Sequence, residues 1–163
     1  MLDWPHLHVA LNHLPIFGIP LVGLLIVIGL ARRSREIVLV GAALAALLGP
    51  ATLATKLGGE KAEHAVESAT WFNEAVVEEH EDAATLATIA ALIAAAAAAM
   101  VWWQQRRMAE VNRYGGVALV VLIGITTILL AITGFKGGAI RHDEFGQSAS
   151  AQPAGDEDDE RER

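Results

Sequence analysis

The chain contains no cysteine. Disulfides, iron–sulfur clusters and thiolate metal sites are thereby excluded. Four long stretches have no charged face, about Val9–Leu30, Ile37–Leu57, Ala83–Trp103 and Gly116–Phe135. A soluble surface helix would show one. No Asp, Glu or Arg lies near the middle of any stretch, which disfavours a stand-alone transporter, because ion and substrate paths place charges there. The chain has no His-Glu-x-x-His and no Glu-x-x-His pair of the di-iron bundles. No Ser, Cys or Lys stands in the setting of an activated nucleophile, so hydrolytic and group-transfer chemistry find no support. Nucleic-acid binding finds none either, since the net charge is −7.

What is present is hydrophobic. Of 163 residues, 53% are hydrophobic, and the mean hydropathy is +0.40. Each of the four stretches reaches the roughly 20 residues that a helix needs to cross a bilayer. The expected fold is all-α, an integral membrane four-helix bundle over residues 1–145, followed by a disordered acidic tail over 146–163. The tail holds six acids and two arginines.

Orientation follows from the short loops. The first carries Arg32, Arg33 and Arg35, the third Arg106, Arg107 and Arg113, against only Glu36 and Glu110. The opposite side, tail aside, has four basic residues and eleven acids. By the positive-inside rule the arginine loops face the cytoplasm and both termini the periplasm, which points to a bacterial inner membrane. Trp102, Trp103 and Tyr114 mark the inner interface, and Trp4, Trp71, Phe72 and Phe135 the outer one. The N-terminus lacks the basic start and the small-residue cleavage site of a signal peptide, so the first span reads as a retained anchor.

Between spans two and three lies an outer segment, 58–82. Gly58-Gly59 is expected to end span two, and Glu60–Ala69 to form a short helix. Asn73 is the expected N-cap of a helix that runs unbroken from Glu74 into span three. The alanine run Ala94–Ala99 predicts close helix packing. Pro15, Pro20 and Pro50 predict local shape changes inside spans one and two. Thr85 and Thr88 are expected to face another helix.

All six histidines, His6, His8, His13, His64, His80 and His142, fall on the outer side, and the arginine loops have none. His13 lies about four residues inside an apolar stretch, roughly 6 Å along the axis. An ionisable group at that depth points to function. His80 has only apolar helical neighbours, Val76, Val77, Ala83, Ala84 and Ala87, and is expected to face the bundle. His142 follows a Gly-Gly pair at the exit of span four. His64 sits among acids, and His6 and His8 lie in the N-terminal arm.

Such imidazoles with carboxylates suit iron, zinc, manganese or copper(II). The expected metal ligands are His13, His80, His142, His64, Glu63, Glu67 and Glu81, with Glu78 and Glu144 nearby. The alternative cofactor is haem b, held by His13, His80 or His142, with Gly18, Gly49 or Gly134 making room for the ring. The expected role is a redox or metal-handling subunit. The alternatives are a haem-b electron carrier, and a structural subunit whose histidines only make hydrogen bonds. The lipid bilayer and a redox or membrane-complex partner are the expected surroundings.

The phrases Leu11–Pro15 (Leu-Asn-His-Leu-Pro), Gly59–Glu67 (Gly-Glu-Lys-Ala-Glu-His-Ala-Val-Glu), Glu78–Ala84 (Glu-Glu-His-Glu-Asp-Ala-Ala) and Gly137–Glu144 (Gly-Gly-Ala-Ile-Arg-His-Asp-Glu) occur together. Over about residues 6–145 the chain resembles a family of small bacterial four-helix membrane proteins of the domain-of-unknown-function type. The resemblance implies the four-span fold and the recurrence of the Asn-His, His-Glu and Arg-His-x-Glu pieces. It implies an acid where His64 stands, and it carries no activity.

Overall fold

A computed structural model describes residues 3–140. Four helices account for most of them: α1 Trp4–Ala31, α2 Arg35–His64, α3 Glu74–Arg107 and α4 Arg113–Ala139. All four are long and apolar enough to cross a membrane. The chain is a four-helix membrane bundle. His142 and the 146–163 tail lie outside the described residues.

Local chemistry sets the helix starts. Asp3 caps α1 by accepting the His6 amide, and Pro5 occupies the first turn, where its missing N–H is no loss. Ser34 caps α2 at Ile37, and Asn112 caps α4 at Gly115. Asn73 precedes α3 as expected, but its side chain makes no capping bond. The α1–α2 connection is only three residues long, with Arg33 in the left-handed region at φ 51°. So short a link forces α2 to return antiparallel beside α1. Packing continues α1 to α2 to α3 to α4 and back to α1, with the α1–α4 seam the loosest.

Small residues allow the close approach. A Cβ on Gly49 would stand 2.5 Å from the Ala95 Cβ and 2.9 Å from the Ala91 carbonyl oxygen. Ala87, Ala91, Ala94, Ala95 and Ala98 fill the α3 face toward the core. The alanine run is thus a packing surface, as its composition predicts. Leu21, Leu47, Phe17 and Ile128 are instead exposed on the outside of the ring. An apolar exterior over small-residue seams is the arrangement that lipid solvates.

Two expectations are corrected between α2 and α3. Gly58-Gly59 does not end the second span, because α2 runs unbroken through the pair to His64. Glu60–Ala69 is not a separate helix; its first half completes α2, and 65–72 forms turns closed by Val66, Ala69 and Phe72 amides on carbonyls three residues back. The glycine pair costs the helix roughly 1–2 kcal/mol in propensity. It survives because Gly59 packs against a side chain of α1, described below. At 30 residues, α2 is about 45 Å long, against a hydrocarbon core of about 30 Å. Its last two turns therefore project past the apolar stretch. α3 does run unbroken from Glu74, and Thr88 is buried as expected, whereas Thr85 is exposed.

Candidate functional site

The end of the bundle that carries the start of α1 and the α2–α3 link holds a cavity of about 780 Å³. This lies within the 300–1,000 Å³ typical of cofactor and ligand sites. Its walls come from all four helices and from Val66, Trp71 and Phe72 of the 65–72 turns. The lining is largely apolar, with Ile16, Val77, Ala84, Ala87 and Leu130 among the contributors. Four histidines reach it: His6, His8, His13 and His80.

His8 and His80 are placed in the same way. The His8 Nδ1 is 3.1 Å from the Thr55 carbonyl oxygen on α2. The His80 Nδ1 is 3.0 Å from the Thr133 carbonyl oxygen on α4. A carbonyl only accepts, so in each ring Nδ1 carries the proton and donates it. Nε2 is then the lone-pair nitrogen of the neutral ring. Each ring also rests on a glycine four residues after the accepting threonine. A Cβ on Gly59 would meet the His8 Cε1 at 2.9 Å, and a Cβ on Gly137 would meet the His80 Cε1 at 2.9 Å. The α1–α2 hairpin and the α3–α4 hairpin thus each contribute one imidazole on a Thr-x-x-x-Gly seat. Both rings line the same cavity. His80 faces the bundle as its helical neighbours predict. The role of His8 is the surprise.

His13 lines the cavity but is exposed at its edge. Its Nδ1 donates to the Val9 carbonyl of its own helix at 2.7 Å. Its ring stacks on Phe17, with centroids 5.8 Å apart and planes at 25°. His6 is engaged with Asp3 at the N-terminus of α1, and this hydrogen bond holds the Asp3 carboxyl below its ordinary range.

The expected carboxylate ligands divide. Glu63 and Glu81 both line the cavity, where the α2 extension faces α3. A hydrogen bond with Glu81, then burial, then the Glu81 charge push the Glu63 carboxyl above its usual range. Glu67 instead pairs with His64 at 2.8 Å, on a turn with both side chains largely exposed. The hydrogen bond to Glu67 raises the His64 imidazole above its ordinary pKa. His64 and Glu67 do not line the cavity. Among the described residues, no group of three His, Cys, Asp or Glu is arranged to hold a metal ion. His80, Glu63 and Glu81 share the cavity without forming a coordination sphere. His142 lies outside the described residues.

The three glycines expected to make room for a ring also divide. Gly49 is filled by α3, and Gly18 lies 3.0 Å, as Cβ, from Leu48 Cδ2. Neither borders the cavity. Gly134 does, and a Cβ there would meet only Ile16 Cδ1 at 3.8 Å.

The opposite end, at the arginine loops, is built for a different purpose. Gln105 is fully buried; its Nε2 donates to the Glu110 carbonyl at 2.8 Å and its Oε1 accepts from the Asn112 amide at 2.7 Å. Arg35 donates to the carbonyls of Gln105, Arg106 and Met108, capping the end of α3. Arg106 and Arg107 lie over the Trp102 and Trp103 rings at 4.6 and 4.4 Å.

A scan against protein-family models and comparisons with curated proteins and with solved structures find no match to this chain.

Proposed function

We propose that this protein is a haem-b-binding membrane protein of the electron-transfer type, in which His8 and His80 would hold the haem. One observation carries the reading. Two imidazoles from opposite hairpins enter one largely apolar cavity, each with Nδ1–H tied to a backbone carbonyl. Such a bond fixes the ring and leaves Nε2 as the donor atom, which is the second-sphere arrangement that metal-ligating histidines use. The porphyrin itself supplies most of the coordination of haem iron. A pair of histidines therefore suffices, whereas a bare transition metal needs three or four protein ligands. That difference favours haem over the His/carboxylate metal site. His13 moves from ligand to the edge of the site in this reading. A bound haem would supply one-electron chemistry; the protein fixes the two rings, and Val66, Trp71 and Phe72 limit access of water from the outer side.

The arginine loops support an inner-membrane location, with the cavity on the periplasmic side and both termini outside.

The test is purification from cells supplied with iron, zinc and copper. The expected result is a red protein with a Soret band and one haem per chain, lost in His8→Ala and in His80→Ala, each checked for helix content by circular dichroism. A colourless protein with stoichiometric zinc, manganese, iron or copper establishes the non-haem site instead. Neither cofactor would leave the structural-subunit reading and overturn this one.

A further inference from the structure

The cavity does not end within the bundle. Gly134 and Gly138 of α4 line it and are at the same time exposed on the outer surface. Across the seam, His13 of α1 also lines the cavity and is exposed. Between them, among the described residues, only Ile16 comes within 4 Å of a Cβ placed on Gly134. The cavity thus opens sideways between α1 and α4, the loosest seam of the ring, beside the ends of their apolar stretches.

His13 gives this mouth its chemistry. Its Nδ1–H is spent on the Val9 carbonyl, so the neutral ring presents only an acceptor, Nε2. Among the described residues nothing donates to that atom. It lies about 6 Å inside the apolar stretch, where water is scarce and an unpaired acceptor is costly. Phe17, stacked on His13, extends the imidazole into an aromatic ledge. Below the ledge α1 exposes Leu21 and Leu24 to lipid. A complementary molecule has a flat ring, a hydroxyl donor and an apolar chain, and arrives from the membrane.

We propose that the lateral mouth between α1 and α4 binds a lipid-borne hydroquinone, with a ring hydroxyl donating to His13 Nε2 and the ring lying along the His13–Phe17 ledge. The inference deepens the haem reading by naming a ligand class for the same cavity, but binding does not require the haem. Because His13 accepts, the reduced diol is held and the oxidised dione, which has no hydroxyl, is not. Phosphatidylcholine lacks both the ring and the donor, and headgroups that carry a donor lack the ring.

The test uses the full chain in phosphatidylcholine nanodiscs, with haem content recorded, titrated anaerobically with duroquinol and with duroquinone. The expected result is duroquinol binding at least about tenfold tighter than duroquinone, the scale of one lost hydrogen bond. His13→Leu should abolish this preference, while His13→Gln, which keeps an acceptor, should retain much of it with the same helix content. Equal affinity for the two oxidation states, or an unchanged preference in His13→Leu, overturns the proposal. Protein that holds haem and ignores duroquinol overturns this proposal alone. Protein that binds duroquinol without a Soret band supports it and overturns the haem reading.

Discussion

The His80 ring rests on the bare backbone of Gly137, where a single added methyl would stand 2.9 Å from its Cε1 and 3.2 Å from its Nδ1. His8 has the same relation to Gly59, with the same two distances. Each seat needs both its parts: a threonine carbonyl to orient the ring, and a glycine one turn later to let the ring reach it.

Gly137→Ala and Gly59→Ala should therefore displace the rings without breaking the helices. Overpacking of this kind costs about 1–3 kcal/mol, partly offset by the roughly 1 kcal/mol that alanine adds to helix propensity. The expected outcome is a fold of nearly unchanged stability with sharply reduced haem content. Gly58→Ala is the control, because a Cβ there meets nothing within 4 Å and Gly58 does not line the cavity. It should bind haem normally and gain about 0.5–1 kcal/mol in thermal unfolding. Equal haem content in all three variants would show that the seats do not position the rings.

Much of this was legible beforehand, for definite reasons. Charge-free stretches of about twenty residues fix helices and spans, since in lipid nothing else satisfies the backbone. The apolar neighbours of His80 placed it in the bundle. His8 was missed because its value depends on α1 starting at Trp4, several residues before the apolar stretch, and on α2 continuing past Gly58-Gly59. Read locally, a glycine pair is a helix end; here Gly59 is a contact. The repeated pattern Thr55-x-x-x-Gly59 and Thr133-x-x-x-Gly137, each with a second glycine beside the first, was the available signal. His13, chosen for its depth, reaches the cavity only at its edge. Depth along an axis is readable from sequence, but angle around it is not until neighbours are known.

Gln105 predicts stability at the opposite end. Its amide pairs with the Glu110 carbonyl and the Asn112 amide, and so shapes the link into α4. Gln105→Leu keeps the volume and leaves both backbone groups without a partner. Each orphaned group costs about 1–3 kcal/mol. The midpoint of thermal unfolding in detergent should fall markedly, while haem content measured below that midpoint stays unchanged, because the cavity lies at the other end of the bundle. Loss of haem at full helix content would contradict this separation of roles.

His64 predicts a pH dependence confined to the projecting end of α2. The Glu67 hydrogen bond, with the charges of Glu67, Glu63 and Glu60, raises its pKa in the folded state. A raised imidazole stabilises the fold fully below its ordinary pKa, and this contribution disappears as the pH climbs through the raised value. The protonated ring also suits the helix C-terminus. Amide exchange over residues 60–67 should therefore be slower at about pH 5.5 than at about pH 8.5, on either side of the ordinary imidazole value, after correction for intrinsic rates. His64→Gln should flatten the difference. Because both partners are largely exposed, the effect should be small and should weaken in high salt. A pH dependence that persists in His64→Gln assigns it to another group.

The absence of cysteine makes the orientation directly measurable, since a single introduced thiol has no background. Ser68 lies on the exposed 65–72 turns, and Glu110 is exposed in the link before α4. Neither contributes to the cavity. The link holding Glu110 lies on the arginine side, where Arg106 and Arg107 flank α3 and Arg113 opens α4. Charged loops of this sign stay cytoplasmic because short basic segments translocate poorly. Ser68→Cys should therefore react with a membrane-impermeant maleimide in intact spheroplasts, and Glu110→Cys only after permeabilisation. The reverse pattern would place the histidine cavity on the cytoplasmic side. That result would leave the seats of His8 and His80 untouched and would move the proposed electron exchange to the cytoplasmic compartment.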